Sequence, residues 1–374
     1  MTKNEEIFLE LLKIGLWGEE NYINNLKDNK ALFKDIDWEE VYRHAVAQTM
    51  IGILADGINS IGLNELKVPQ DIKFKLIQHV IRIEQANEKM NIFLPQLYKK
   101  LNKADIHAWL LKGQGVAQCY LRPNHRQSGD IDLFFLNKAH YEKAGELLSK
   151  YDNGKETEET EHYAFTINGI VVELHGKIVA RTNRKLDRNF IPWTKEIAQN
   201  EEEIIQDGTQ VTLPPIAFDA VYIFVHMMRH YFEGGIGLRQ VSDWMRYLYV
   251  HHHQINQEQL TAHLKRLGVT KIWKIFGAMA VNYLGCPQEY MPLYDSKYSK
   301  DGATILQYIL RSGNFGYFDD RLQNRPKNFY LGKLYSFWGQ IQMILRNLKM
   351  FPEESLRALP VLIQGGMERV KEKR

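Results

Sequence analysis

Apolar positions along this chain recur in three regimes. Over residues 1 to about 100 they return every three or four positions, which is the period of one helix face. Ile7, Leu11, Leu12, Ile14 and Leu16 form one such set. Trp38, Val41, Ala45 and Val46 form a second behind Asp37, a suitable N-cap. Ile72, Leu76, Val80, Ile83 and Ala86 lie in the longest stretch, Asp71 to Tyr98, with Pro69 just ahead of it and Pro95 near its end. This part predicts helices without chemistry of their own, a platform or a substrate-selecting lobe. From 101 to about 210 the period shortens. His107 to Leu111 reads as a strand, followed by a glycine pair (Gly113, Gly115), a short helix over Val116 to Leu121, a strand from Asp130 to Leu136 and a helix from Lys138 to Ser149. His162 to Leu174 alternates on either side of Asn168-Gly169, a pair suited to the positive φ angles of a tight hairpin turn. Beyond Pro214-Pro215 helical spacing resumes. Val221, Phe224, Val225, Met228 and Phe232 make one stripe, and Leu238, Val241, Met245 and Leu248 another. Further helices are predicted over Ile272 to Leu284, Ala303 to Leu310 and Leu331 to Leu348.

The expected architecture is an α/β (α+β) core with a small mixed sheet over 101–210. A helical region, 1–100, precedes it, and a helical domain, 211–374, follows. At 374 residues the chain can bury a substantial core, and its net charge of +3 gives no argument for a nucleic-acid partner. The acidic run Glu156 to Glu161 and the basic end Arg369 to Arg374 read as solvated surface. Only two cysteines occur, Cys119 and Cys286, far apart, which excludes a disulfide scaffold and suits a reducing, cytoplasmic setting. Charged residues interrupt the first apolar stretch, so a signal peptide is not expected. No uninterrupted apolar run is long enough to predict a transmembrane helix.

Candidate chemistry gathers at Asp130 and Asp132, two apart on one strand and therefore on one face. Adjacent carboxylates repel unless a cation lies between them, and a divalent metal is the natural third party. Glu173, in VVELHG, shares a strand face with Val171 and His175. That face is either simply exposed or the place where a third carboxylate completes the metal site, with His175 beside it. Gly113 and Gly115 lie where a strand turns into a helix and a phosphate can approach the backbone. Lys112, Arg122 and Arg126 add cations near the same loop. Neither a P-loop nor a full dinucleotide fingerprint is present. On the helix over 216 to 232, Asp219, His226 and His230 fall opposite the apolar stripe. The two histidines, four apart, either reach one metal together or stand exposed. Arg239 and Asp243, also four apart, are expected to pair, and His251 to His253 to form a helix-end surface run.

The stretch LLKGQGVAQCYLRPNHRQSGDIDLFF, taken with VVELHG, resembles the polymerase-β-like nucleotidyltransferase superfamily, and most closely a bacterial group of uncharacterised nucleotidyltransferases. The resemblance implies a glycine turn at Lys112-Gly113 and catalytic, metal-binding acids at Asp130, Asp132 and Glu173. It further implies nucleotide contacts from Lys112, Gly113, Gln114, Arg126, Gly129, His175, His226, His230 and Arg239. Two Mg²⁺ ions, or Mn²⁺, are the implied cofactors. The partners are a nucleoside triphosphate and an acceptor hydroxyl on a small molecule or protein; a long nucleic acid and a membrane are not expected. Two departures stand out. Gln114 follows Gly113 where the superfamily has Gly or Ser, and the third acid is the longer Glu173 rather than aspartate. Two other readings accompany this one. A divalent-metal DxD glycosyltransferase accounts for the aspartates but not for the glycine turn or third acid. A catalytically weak nucleotide-binding or interaction module retains the core without the turnover.

Overall fold

The computed structural model describes residues 1–18, 33–152, 157–159, 162–176, 183–198, 202–206, 208–316, 326 and 328–357. Its N-terminal part is helical: α1 (Lys3–Trp17), α2 (Trp38–Ala47), α3 (Ile51–Ile61) and α4 (Gln70–Lys103). Asp37 caps α2 by accepting from the Glu40 amide, as its position predicts. The helix α4 is 34 residues long and runs straight past Pro95, beyond the expected end at Tyr98. Proline has no N–H to offer the carbonyl four residues earlier. Here the Gln206 side-chain amide donates to that Asn91 carbonyl at 3.3 Å, so the helix continues without leaving the oxygen unmatched.

The core then builds a five-stranded sheet from β1 (Trp109–Leu111), β2 (Asp130–Phe134), β3 (Thr157–Glu159), β4 (His162–Ile167) and β5 (Ile170–His175), in the order β1-β2-β5-β4-β3. Only β2 and β5 run parallel, so the sheet is mixed as expected. Between β1 and β2 lie a short helix, α5 (Gly113–Ala117), which starts earlier than the apolar spacing predicts, and one 3-10 turn, Pro123–His125. The helix α6 (Lys138–Ser149) has the expected bounds, and the hairpin turns at Asn168 (φ 54°) and Gly169 (φ 73°). In β5, Ile170, Val172 and Leu174 are buried, while Val171, Glu173 and His175 share the other, less covered face.

Several elements go beyond the sequence expectation, the helices Ile51–Ile61 and Gln257–Leu267 among them. Another is α7 (Arg184–Ile197), legible in hindsight from Leu186, Phe190 and Trp193 but interrupted by Pro192. A further one is a separate hairpin, β6 (Glu202–Gln206) with β7 (Thr209–Leu213). Helices follow: α8 (Ile216–Glu233), α9 (Leu238–Val250), α10 (Gln257–Leu267), α11 (Thr270–Leu284), α12 (Ser299–Ser312) and α13 (Phe329–Asn347). Among the described residues the apolar interior forms two clusters. One joins α1–α3 to α8–α12 through residues such as Trp17, Phe224, Trp244 and Trp273; the other fills the space between the sheet, α4 and α6. Among the described residues no helix is long and apolar enough to cross a membrane. The basic end at 369–374 lies outside the described residues, as do residues 156, 160 and 161 of the acidic run.

Candidate active site

The parallel ladder between β2 and β5 sets Asp132 directly opposite Glu173, and Asp130 opposite Val171. Alternation then turns Asp130, Asp132, Glu173 and His175 toward one face of the sheet. Ligand atoms of Asp132, Glu173 and His175 lie within 4.8 Å of one another. Asp132 is the most deeply placed, 1 % exposed, and both its oxygens are engaged. His175 Nε2 lies 2.8 Å from Oδ1, and Lys112 Nζ lies 3.0 Å from Oδ2. Glu173 Oε2 is 3.6 Å from the same His175 nitrogen.

The turn that delivers Lys112 is strained in a way the sequence does not announce. Lys112 itself has φ 48° and ψ −133°, and Gly113 follows at φ 40°. A non-glycine residue at positive φ costs on the order of 1–3 kcal/mol and persists where its surroundings hold it. Here the side chain is held at both sides. Opposite Asp132, its ammonium donates to His226 Nε2 at 3.1 Å, and His226 Nε2 is in turn 2.9 Å from His230 Nε2. The two histidines are thus neither exposed nor on a separate site; α8 brings them to the carboxylates through Lys112.

The charges are strongly coupled. Burial works against ionising Asp132, but Lys112 and His175 overcome it and hold its carboxyl well below the usual range. The negative charge of Asp132, with burial, pushes Asp130 up; burial and the two aspartates push Glu173 up. Burial and the Lys112 ammonium drive His226 far below the ordinary imidazole value and His230 down to about 3. Both rings are therefore neutral at physiological pH. That leaves the His226 Nε2 lone pair as an acceptor for Lys112.

The other anticipated residues have mixed placements. Arg126 is buried and forms a two-pronged pair with Asp243, both contacts at 2.7 Å, and Tyr120 donates to the same carboxylate at 2.7 Å. The expected Arg239–Asp243 pair is therefore replaced: Arg126 takes the carboxylate, while Arg239 donates to the Gln127 carbonyl at 2.6 Å and its buried Nε has no partner among the described residues. Four-residue spacing allows a helical pair but does not exclude a better-shaped buried partner. Gln114 turns to α4, donating to Asn91 Oδ1 at 2.7 Å. Arg122 is largely exposed and reaches Asp56 at 3.2 Å. A side chain added at Gly129 would meet open space, whereas one at Gly115 would touch Leu213 at 3.4 Å.

The N-terminal helices also contribute. His125 lies between Asp56 (2.8 Å) of α3 and Glu84 (3.0 Å) of α4, and Asn87 of α4 donates to the carbonyls of Asn124 (2.7 Å) and Arg126 (2.8 Å). These bonds fix the loop that runs into Asp130. The sequence reading missed them, because nothing in local spacing joins Asn87 or Asp56 to that loop. Asp219, singled out with the histidines, is buried near the start of α8 with Oδ1 unpartnered, and burial pushes its carboxyl up to about 8.

The cluster that suits a divalent ion holds one aspartate, one glutamate and one imidazole, Asp132, Glu173 and His175; Asp130 lies outside it, coupled to Asp132 by charge. The sequence profile of a family described as uncharacterised nucleotidyltransferase matches residues 34–285, well over half of the 374. No curated protein matches the chain. Among solved structures it is similar to an antigenic nucleotidyltransferase-like protein from Paracoccidioides brasiliensis, 16% identical over 44% of this chain and 77% of that one. The TM-score is 0.32, a slight likeness. With the acids, the Lys-Gly turn and the mixed sheet all lying inside the matched span, the chain belongs to the uncharacterised nucleotidyltransferase family.

Proposed function

We propose that this protein transfers a nucleotidyl group from a nucleoside triphosphate to an acceptor hydroxyl, releasing pyrophosphate, with a divalent metal at the β2–β5 carboxylates. The observation that carries the proposal is the ladder register that sets Asp132 opposite Glu173 beside the strained Lys112-Gly113 turn. Asp130, Asp132 and Glu173 would hold one or two Mg²⁺ or Mn²⁺ ions, and His175 is the third donor of the cluster it forms with Asp132 and Glu173. When bound, such an ion neutralises phosphate charge and steadies the attacking and leaving oxygens. The chain's own groups do the rest. Lys112 supplies an ammonium for phosphate oxygens, and Arg239, whose Nε is buried without a partner, supplies a second cationic donor. Arg126, committed to Asp243, positions the loop through Gly129 rather than offering its guanidinium freely. Glu173, with its carboxyl pushed up by burial and by the aspartates, is suited to take the acceptor's proton.

The test is calorimetry with a non-hydrolysable triphosphate and Mg²⁺. Asp130→Asn combined with Asp132→Asn is expected to abolish metal-dependent binding, and unchanged binding would remove the metal assignment. Pyrophosphate release across a broad acceptor screen then separates a transferase from a module that only binds nucleotide.

A further inference from the structure

We propose that Lys112 is the resident counter-ion of Asp132, and that it leaves only when a triphosphate draws it away, so that the divalent ion enters with the nucleotide and not before it. The proposal rests on the nucleotidyl-transfer reading and deepens it by giving the site an order of binding.

Asp132 is 1 % exposed, and each of its oxygens already has a partner: Oδ1 faces His175 at 2.8 Å and Oδ2 faces Lys112 at 3.0 Å. A buried carboxylate with no cation would be costly, and the ammonium meets that need within the chain itself. The same ammonium obstructs a metal, because a second cation on Oδ2 must contend with a unit charge already in hydrogen-bond contact with that atom. The two contacts of the ammonium are unequal, one to a carboxylate and one to an imidazole. Its other partner, His226 at 3.1 Å, is an uncharged acceptor that competes little with an anion for the ammonium. Triphosphate oxygens are stronger acceptors than a neutral imidazole, and several of them together outbid a single carboxylate. Once the ammonium turns to phosphate, Oδ2 is released to the ion that arrives with the same nucleotide.

Mn²⁺ binding to the full chain without nucleotide, followed by the loss of the free-ion signal in electron paramagnetic resonance, tests this without reference to turnover. Wild type is expected to bind Mn²⁺ weakly. Lys112→Met and Lys112→Gln, which remove the charge, are expected to bind it at least about tenfold more tightly, the size of effect that one close opposite charge exerts on a carboxylate. Lys112→Arg is expected to stay near wild type, and adding Asp132→Asn to Lys112→Met to erase the gain. Mn²⁺ affinity that is unchanged or weaker in both neutral variants overturns the proposal. The two readings fail separately. If wild type takes up neither Mn²⁺ nor a non-hydrolysable triphosphate when both are offered, nucleotidyl transfer falls. If it takes up both, yet neither neutral variant gains, only the counter-ion role falls.

Discussion

Asp132 and Glu173 stand opposite each other on neighbouring parallel strands, one carboxyl held ionised by Lys112 and His175 and the other pushed toward its protonated form. One sheet register thus makes two acids of different character. It gives a permanent anion for a cation to rest on and an adjacent group able to take up a proton.

The Asp132–Lys112 pair predicts a stability signature separate from activity. Asp132→Asn takes the contacting carboxylate from a nearly buried ammonium, and should cost about 3 kcal/mol of unfolding free energy in urea. Adding Lys112→Met should restore most of that loss. Simple addition of two separate losses in the double variant would contradict the pairing.

Arg126 and Arg239 should behave oppositely although both serve the same loop. Asp243→Ala strands the buried Arg126 guanidinium and removes the Tyr120 acceptor, so a loss of about 3–5 kcal/mol is expected. Arg239→Gln gives up one bond to a backbone carbonyl and should cost about 1 kcal/mol, while weakening triphosphate binding roughly tenfold. Chemical denaturation alongside fluorescent-nucleotide titration reads both effects.

Gly52 fixes how closely α3 approaches the loop before Asp130. A Cβ there would lie 2.1 Å from the His125 carbonyl oxygen, so Gly52→Ala must push the loop away. A loss of about 1–3 kcal/mol is expected, in the range of overpacked sites. Any transferase activity should fall with it, because Asp130 follows that loop. An unchanged melting temperature would count against the close approach.

Asp219 predicts a pH-dependent difference. Its carboxyl is pushed from the ordinary 3.8 up to about 8 in the fold, so the native state binds this proton more tightly than the unfolded chain does. The associated stability is full below the ordinary value and is lost as pH rises to about 8. Asp219→Asn should therefore match wild type near pH 4. It should gain on wild type by up to about 1.4 kcal/mol per pH unit above that, and the advantage should level off past the folded value. A constant difference across pH would show that Asp219 is ionised in the fold.

What was legible in the chain was local. The hairpin announces itself in Asn168-Gly169, the two aspartates lie on their strand because alternation demands it, and α6 carries its own bounds. What was not legible depends on residues distant in sequence. Arg239 and Asp243 look like partners at four residues' separation, yet Asp243 is claimed by Arg126, 117 positions away. His226 reaches Lys112 across 114 positions, which turned two histidines that spacing could only call a metal pair or surface into part of the acid site. Pro95 reads as punctuation until Gln206 arrives from a hairpin that the apolar pattern does not reveal.

The length of α4 carries a practical consequence for dissecting the molecule. Its first half sends Ile72, Leu76 and Ile83 into the core shared by the outer helices, and its second half sends Met90, Leu94, Leu97 and Leu101 under the sheet. A fragment begun near residue 101 would lose one wall of the sheet's interior together with Asn87, the clasp on the loop before Asp130. The helix is a shared beam, one wall of both interiors, so neither can be cut free of the other at residue 101.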